Sequence, residues 1–205
     1  MQKGAAPLRY VSLGDSYTIG TAVAEPERWP DQLVGALGGA AAPLRLAANL
    51  AVNGFTSADV IAEELPLLDA LRPEFVTLLI GVNDVVQGVP DGAYRAHLET
   101  IFDGLLRRLA PSRVLAVTTP DYTVTPAGAD YGDPGERRAG IVRANGTMKE
   151  VAGAGGIAIV DIFDLSQRAA IDRTLVAADG LHPSGAQYAL WVARIAPAVR
   201  ELLAR

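Results

Sequence analysis

The sequence predicts an α/β fold in which helices cover both faces of a five-stranded parallel sheet, a three-layer α/β/α sandwich. Short apolar runs alternate along the chain with longer segments of helical periodicity. Strands that alternate with helices pair in parallel, and each right-handed crossover returns its helix onto the sheet. The apolar run 75–80 lies between Pro73 and Gly81, as expected of a central strand buried on both faces. With 205 residues, 50% of them hydrophobic, the chain can bury one core, and we expect a single domain over residues 1–205.

The first two predicted strands flank a short helix. Leu8–Leu13 and Leu44–Leu50 are apolar runs of strand length, and Trp29–Leu37 is typical of a helix. The Gly38-Gly39 pair indicates where that helix stops, because glycine readily adopts the left-handed conformation that follows many helices.

A second helix is predicted between Leu44–Leu50 and the strand Phe75–Ile80. Apolar residues recur at helical spacing from Val60 to Leu68, after Thr56-Ser57, either of which can cap the helix. We expect Pro66 to kink or end this helix, because proline has no N–H and clashes with the preceding turn.

The second half of the chain continues the alternation. From Asp91 to Leu109 the apolar residues follow a period of 3.6 with charges between them, which indicates a helix with one buried face. The remaining predicted elements are the strand Val114–Thr118, the helix Glu136–Val151 ending at Gly153, the strand Ile157–Ile162 and the helix Ser184–Leu203, bent at Pro197.

The composition excludes several classes of partner and cofactor. With 18 Lys and Arg against 23 Asp and Glu, the net charge is −5, so the chain lacks the basic surface that binds nucleic acid. Because the chain has no cysteine, it cannot form a disulfide, a thiol nucleophile or a thiolate metal site. Clustered histidines are also missing, and we expect no metal and no cofactor.

We expect neither an export signal nor a membrane span. Residues 1–7 lack the apolar core of a signal peptide. The most apolar long stretch, 33–52, is interrupted by Pro43, Arg45 and Asn49, and it falls short of the roughly 20 consecutive apolar residues that cross a bilayer. These features predict a cytoplasmic protein.

A serine and a histidine are the first candidates for chemistry. Ser16 follows the first strand directly, and the carboxyl ends of parallel strands are where α/β folds build their sites. A serine hydroxyl needs a base to become a nucleophile, and the chain has two histidines. His97 lies on the helix from Asp91 and is interpreted as a partly exposed helix residue. His182 lies in a loop rich in Gly and Pro and is the predicted base.

Asp179 precedes His182 by three residues. This spacing allows the Asp179 carboxylate to accept the Nδ1 proton of His182, which leaves Nε2 to face Ser16 and completes a triad. Alternatively, Asp179 caps the loop through backbone groups, as Asp often does before Gly. The residues alone leave both interpretations open.

Acyl transfer also requires donors for the oxyanion of a tetrahedral intermediate. Gly54 follows the second strand, and without a Cβ its N–H could approach a substrate closely. Asn83 follows the third strand after a short turn through Gly81 and offers a side-chain amide at the same sheet edge. Each segment taken singly is an ordinary turn, and their joint placement favours an oxyanion hole.

Two acidic residues lie beside the proposed chemistry, which raises the alternative of a glycosidase with paired carboxylates. That mechanism would leave His182 and Asn83 unexplained. The two acids are Asp15 and Asp84. We expect Asp15 instead to order the turn beneath Ser16 by accepting backbone N–H groups.

Taken in order, these segments resemble the SGNH superfamily of GDSL-type esterases and lipases over almost the whole chain. The resembling blocks are Gly14-Asp15-Ser16, Asn49-Leu50-Ala51-Val52-Asn53-Gly54, Gly81-Val82-Asn83-Asp84 and Asp179-Gly180-Leu181-His182-Pro183. Tyr17 departs from the leucine common at that position, which carries no catalytic group. The resemblance implies a flavodoxin-like sandwich, a Ser16-His182-Asp179 triad, and oxyanion donors from the Ser16 and Gly54 N–H groups and the Asn83 side chain.

The expected activity is hydrolysis of carboxylic esters with short to medium acyl chains through an acyl-enzyme on Ser16. The substrate is then a small-molecule or lipid-like ester, and Tyr17, Phe55, Val85 and Val86 are the predicted acyl pocket. Lysophospholipase, thioesterase, carbohydrate O-deacetylase and acyltransferase activities would use the same residues. A binding module without catalysis is the alternative of a different class. The segment 121–135, after the fourth strand, is either a cover over the pocket or an ordinary surface loop.

Overall fold

A five-stranded parallel sheet forms the centre of the molecule in a computed structural model that describes residues 6–38 and 43–205. The strands are β1 (Leu8–Gly14), β2 (Leu44–Asn49), β3 (Phe75–Leu79), β4 (Val114–Val117) and β5 (Ala158–Val160). Their order across the sheet is β2-β1-β3-β4-β5, the flavodoxin-like order, and every pair is parallel. The predicted α/β fold and its parallel sheet are confirmed.

Helices connect the strands. They are α1 (Ser16–Ile19), α2 (Trp29–Ala36), α3 (57–71), α4 (Val82–Gln87), α5 (Asp91–Leu106), α6 (Pro134–Ala154), α7 (Phe163–Ser166) and α8 (Gly185–Leu203). The sequence did not predict α1, α4 or α7, which are a few residues long and show no full hydrophobic period. Pro197 lies inside α8, which continues to Leu203. Gly39 and residues 1–5 lie outside the described residues.

The helix α3 is irregular around Pro66. It begins as α-helix at Ser57–Asp59, widens to a π-helix at Val60–Glu64, tightens to a 3₁₀ turn at Leu65–Leu67 and ends as α-helix at Leu68–Leu71. Because Pro66 sits at the start of the 3₁₀ turn, its missing N–H leaves no α-helical hydrogen bond broken. The proline therefore changes the winding of the helix and does not end it.

The core consists of two apolar layers, one on each face of the sheet. Tyr10 of β1 packs with Trp29 of α2 and Trp191 of α8 on one face. Val11, the next residue of β1, packs with Leu98 of α5 on the other face, together with side chains of α3 and α6. This alternation gives the predicted three-layer sandwich and leaves the carboxyl edge of the sheet for polar groups.

Candidate active site

Ser16 stands at the carboxyl end of β1 as the first residue of α1. The preceding Asp15 caps this helix, and its Oδ1 accepts the Tyr17 N–H at 3.0 Å, which confirms the predicted turn-ordering role. The backbone N–H of Ser16 donates to no acceptor among the described residues. Ser16 is 8% exposed, so the hydroxyl lies at the bottom of a cleft.

The close approach of β1 to β3 requires glycine just before this turn. Gly14 has φ +148, and a Cβ built there would lie 2.2 Å from the carbonyl oxygen of Leu79. Any side chain at position 14 would therefore push the turn that carries Ser16 away from the sheet.

Asp179 and His182 meet on the loop before α8. Nδ1 of His182 lies 2.6 Å from Oδ2 of Asp179, while Oδ1 of Asp179 accepts the N–H groups of Leu181 and His182, each at 3.0 Å. One carboxylate thus makes both interactions that the sequence left open, since it caps the loop and contacts the imidazole. His182 is 9% exposed and packs against the ring of Tyr17, with 5.1 Å between centroids.

The environment of Asp179 favours its charged form. Burial acts to raise the pKa of Asp179, but the hydrogen bond from the His182 side chain and those from the Leu181 and His182 N–H groups outweigh it. The net result is a pKa below the ordinary value of an Asp. A charged Asp179 can only accept hydrogen bonds, so the proton between the two side chains belongs to Nδ1 of His182, and in the neutral imidazole Nε2 is the acceptor.

Gly54 lies in a tight turn after β2. Its φ is +84, a conformation that favours glycine, whereas a Cβ there would touch no other atom. The glycine is therefore explained by its backbone conformation and not by a close approach of neighbouring atoms. The Gly54 N–H has no hydrogen-bond acceptor within the part of the chain that the structure describes.

Asn83 lies in the first turn of α4, next to that turn. Its Nδ2 donates to the carbonyl oxygen of Phe55 at 2.9 Å. Gln87, one turn further along α4, donates from Nε2 to the carbonyl oxygen of Gly54 at 3.3 Å. Two side-chain amides thus tie the turn after β2 to α4.

The predicted site residues come together around one cleft of about 210 Å³. The residues that line it are Ser16, Tyr17, Asn53, Gly54, Val82, Asn83, Val86, Tyr122, Tyr131, Leu181 and His182. Asp179 lies behind His182 and does not line the cleft. The structure therefore brings Ser16, His182, Gly54 and Asn83 to the same carboxyl edge of the sheet.

Two of the four residues predicted for the acyl pocket are not among the residues that line the cleft. Tyr17 and Val86 line the cleft, but Phe55 and Val85 do not. Val85 packs toward α6, where a Cβ on Gly140 would come within 2.7 Å of its side chain. Phe55 contributes its carbonyl oxygen to the site by accepting the hydrogen bond from Asn83.

Sequence reasoning did not identify the two tyrosines of the cleft, Tyr122 and Tyr131. Both lie in short 3₁₀ turns of the segment 121–135. The position of this segment after the fourth strand was the one feature of the sequence that placed it near the site. Their rings pack edge to face, with centroids 6.0 Å apart. The Ala127 N–H donates to the Gly180 carbonyl at 2.9 Å, so this segment is attached to the loop of Asp179 and His182 and forms one wall of the cleft.

A cluster of buried acids lies beneath the site. Glu64, on the π-helical part of α3, accepts the N–H of Gly14 at 3.0 Å, and burial raises its pKa to about 8. Burial likewise raises the pKa of Asp15 to about 7 and raises the pKa of Asp84. No periodic signal marks Glu64 in the sequence, because it is a charged residue on the inner face of an irregular helix.

Asp84 connects the site to His97. The Asp84 carboxylate accepts the Ser57 N–H at 3.0 Å and the Ser57 hydroxyl at 2.5 Å. The same hydroxyl lies 2.9 Å from Nδ1 of His97, a partly buried residue of α5 that does not line the cleft. Asp15 and Asp84, the two acids noted in the sequence, therefore both stabilise the fold by accepting hydrogen bonds.

Neither a metal cluster nor a membrane span is found within residues 6–38 and 43–205. No group of three or more His, Cys, Asp or Glu side chains is arranged there to hold a metal ion. The described helices include none that is long and apolar enough to cross a bilayer.

Several solved structures resemble the fold. Axe2, an acetylxylan esterase from Geobacillus stearothermophilus, superposes with a TM-score of 0.74 at 20% identity, over 97% of this chain and 96% of that chain. LAE5, an alpha/beta hydrolase enzyme from the metagenome of Lake Arreo in Spain, gives 0.75 at 22% identity over 97% of both chains. A lipase/acylhydrolase from Enterococcus faecalis gives 0.71 at 22% identity, over 95% of this chain and 96% of that chain. At these identities the likeness establishes the fold.

The family assignment comes from the sequence itself. No curated protein matches the sequence significantly. Residues 12–190, however, match the GDSL-like lipase/acylhydrolase family, and this range contains Ser16, Gly54, Asn83, Asp179 and His182. The chain therefore belongs to the GDSL-like lipase/acylhydrolase family and is a carboxylic ester hydrolase.

Proposed function

We propose that the chain hydrolyses carboxylic esters of short to medium acyl chains by means of an acyl-enzyme on Ser16. The Ser16 oxygen attacks the ester carbonyl carbon while Nε2 of His182 takes the hydroxyl proton. When the tetrahedral intermediate collapses, the ester C–O bond breaks and His182 gives that proton to the departing alcohol. Water, deprotonated by His182, then attacks the acyl carbonyl, which releases the acid and restores Ser16.

The Asp179-His182 contact is the observation that carries this proposal. With the proton held on Nδ1 by a charged carboxylate at 2.6 Å, Nε2 of His182 is left as the basic nitrogen. Ser16 and His182 line the same cleft, and in the described part of the chain His97 does not. The arrangement supports a serine hydrolase over a carboxylate-pair glycosidase, because Asp15 and Asp84 are buried and occupied by the backbone and by Ser57.

Three donors support stabilisation of an oxyanion above Ser16. Two are the backbone N–H groups of Ser16 and Gly54, which donate to no acceptor among the described residues. The third is the amide of Asn83, which donates one N–H to the Phe55 carbonyl and has a second N–H for the oxyanion. Donors of this kind act on charge that develops in the transition state.

The size and lining of the cleft support small acyl groups. Pockets for drug-sized ligands usually enclose about 300–1,000 Å³, whereas this cleft encloses about 210 Å³. Val82, Val86, Tyr122 and Tyr131 provide an apolar wall for the acyl chain. The likeness to an acetylxylan esterase fits an acyl group at the small end of this range.

Hydrolysis of p-nitrophenyl butyrate tests the proposal. We expect the wild type to release p-nitrophenol and Ser16→Ala to lose about 10⁶-fold in kcat, because the triad acts as a unit. Ser112→Ala is the matched control, since Ser112 lies in the 3₁₀ turn before β4, at the opposite edge of the sheet. A wild-type protein without esterase activity would favour the non-catalytic binding module, and a fully active Ser16→Ala would reject the nucleophile.

A further inference from the structure

A second cleft, of about 540 Å³, adjoins the catalytic cleft and shares Asn53 with it. One wall is formed by residues 19–23, the end of α1 and the loop after it, and the other is the turn 51–53 that follows β2. The side chain of Arg28, which precedes α2, completes the lining. A substrate seated on Ser16 could therefore extend from the catalytic cleft into this second cleft, past Asn53.

The strand order places the two clefts on different sides of Ser16. The apolar wall of the catalytic cleft, with Val86 and Tyr122, follows β3 and β4, which lie to one side of β1. The second cleft is built from the loop after β1 itself and from the turn after β2, and β2 lies on the other side of β1. If the acyl chain occupies the apolar side, the alcohol part of the ester is directed toward the second cleft.

Arg28 is the only charged side chain among the described residues that line the second cleft. It makes no ion pair and no side-chain hydrogen bond with any residue in the described ranges, and its Nε is buried without a partner. Burial raises the pKa of Asp31, and nearby Arg28 acts against this rise without coming within ion-pair distance. A guanidinium carries five donors in a rigid fork and seldom lacks an acceptor when partly buried.

The backbone of this cleft leaves room for the Arg28 side chain and is constrained at its walls. Gly20 has φ +75, and a Cβ there would come within 2.3 Å of the Arg28 side chain, so the arginine lies directly on the glycine backbone. Ala22 has φ +65, a strained conformation for a residue with a side chain. The Thr21 hydroxyl donates to Oδ1 of Asn53 at 2.5 Å and joins the two walls.

We propose that the second cleft binds an anionic group, a carboxylate or a phosphate, on the alcohol part of the ester, and that Arg28 is its ligand. The preferred substrates are then acyl esters of hydroxy acids or of phosphorylated alcohols, and the enzyme prefers them to neutral esters of the same length. This inference rests on the proposed esterase activity and adds a charge preference to it.

Matched pairs of substrates test the charge preference. Acetyl esters of ω-hydroxy acids with two to five methylenes are compared with their primary amides, which have the same shape without the charge. We expect the best carboxylate to exceed its amide in kcat/KM by about tenfold or more, as is typical of a hydrogen bond to a charged group. The corresponding phosphate monoesters show which of the two anions the cleft prefers.

Variants of Arg28 assign the preference to this side chain. Arg28→Gln should bring the carboxylate-to-amide ratio to about one, and Arg28→Lys should retain part of it. Arg45→Gln is the matched control, because it removes the same charge from an exposed position near the start of β2 and should leave the ratio unchanged. Thermal unfolding of each variant separates a lost ligand from a lost fold.

The possible results are distinct. If the acetyl esters with a terminal amide are hydrolysed as fast as those with a carboxylate or a phosphate at every chain length, the Arg28 inference is overturned and the esterase proposal stands. A preference that survives in Arg28→Gln would also overturn it. If none of these esters is hydrolysed, including those with a terminal amide, the proposed function itself is rejected.

Discussion

The side-chain amide of Asn83 donates a hydrogen bond to the carbonyl oxygen of Phe55 at 2.9 Å. This bond joins the first turn of α4 to the turn after β2, and so it fixes the position of Asn83 relative to the Gly54 N–H. Because an amide nitrogen carries two protons, the bond to Phe55 leaves one for a substrate. This bond and the Gln87 bond to the Gly54 carbonyl together set the relative position of two proposed oxyanion donors.

We expect Asn83→Ala to lower kcat by about 10²–10³ with a small change in KM, because the amide acts mainly on transition-state charge. Gln87→Ala is the control, since Gln87 also donates its amide to this turn but does not line the cleft. Steady-state kinetics of both variants give the comparison. Equal losses in the two variants, or an Asn83→Ala effect confined to KM, would indicate that Asn83 only shapes the turn.

Asp179→Asn tests the orientation of the base. At every pH from 6 to 9 we expect the kcat of the variant to be about 10³–10⁴-fold below that of the wild type. The reason is that a neutral amide neither fixes the Nδ1 proton nor stabilises the imidazolium. The pKa of Asp179 is lowered, so the wild-type carboxylate stays charged from pH 6 to pH 9, and the deficit of the variant should extend over this whole range.

Asp172→Asn provides the matched control for Asp179. Asp172 accepts the Thr174 N–H at 3.0 Å in a similar turn, but it is exposed and outside the cleft. We expect its variant to keep wild-type turnover. Full activity in Asp179→Asn would instead describe a Ser16-His182 dyad.

Glu64 should make the protein less stable as the pH rises. Burial raises its pKa from the ordinary 4.5 to about 8, so between these values the folded protein holds a proton that the unfolded chain has released. Unfolding then releases a proton, and the stabilisation present below pH 4.5 is lost as the pH approaches 8. Each pH unit within this interval costs up to about 1.4 kcal/mol, which lowers Tm by roughly 3–6 °C in a domain of this size.

Glu64→Gln removes this ionisation while retaining an oxygen for the Gly14 N–H. We expect its Tm to decline less than that of the wild type between pH 5 and pH 8. Glu63→Gln, at the exposed neighbouring position, should follow the wild type. Parallel declines in Glu64→Gln and the wild type would show that Glu64 is charged in the folded protein.

Long periodic or apolar segments were predictable from the sequence, and short or irregular ones were not. The strands and the helices α5 and α8 follow from hydrophobic patterns, because many residues repeat the same signal. The turn of α1 has only four residues, so no period marks it. The helical spacing from Val60 to Leu68 predicted α3 but not its change of winding. Tertiary packing decides such segments.

The same distinction applies to the site. Ser16, Gly54, Asn83, Asp179 and His182 lie at strand ends or in one loop, where the sequence order fixes the edge of the sheet they share. Which side chains face the cleft depends on helix rotation, which a strand-end argument does not specify. Val85 and Val86 are neighbours in α4, yet only Val86 lines the cleft.

The cleft should also set a limit on acyl length. Each buried methylene contributes about 0.8 kcal/mol, or roughly fourfold in kcat/KM, so rates should rise from acetyl to butyryl or hexanoyl esters and then level off or fall. Tyr131, at the rim and 42% exposed, narrows the opening, so Tyr131→Ala should move the optimum to longer chains and Tyr131→Phe should not. A p-nitrophenyl ester series measures this. Wild-type rates that still climb at dodecanoyl and palmitoyl esters would contradict the small cleft.

Covalent labelling tests the role of Ser16 most directly. A fluorophosphonate should modify the wild-type protein at one site, and mass spectrometry of the proteolytic peptides should place the adduct on Ser16. Labelling should slow by several orders of magnitude in His182→Ala, which lacks the base, and should proceed at the wild-type rate in Ser112→Ala. An adduct found only on another serine, or rapid labelling of Ser16→Ala, would contradict the assignment of Ser16 as the nucleophile.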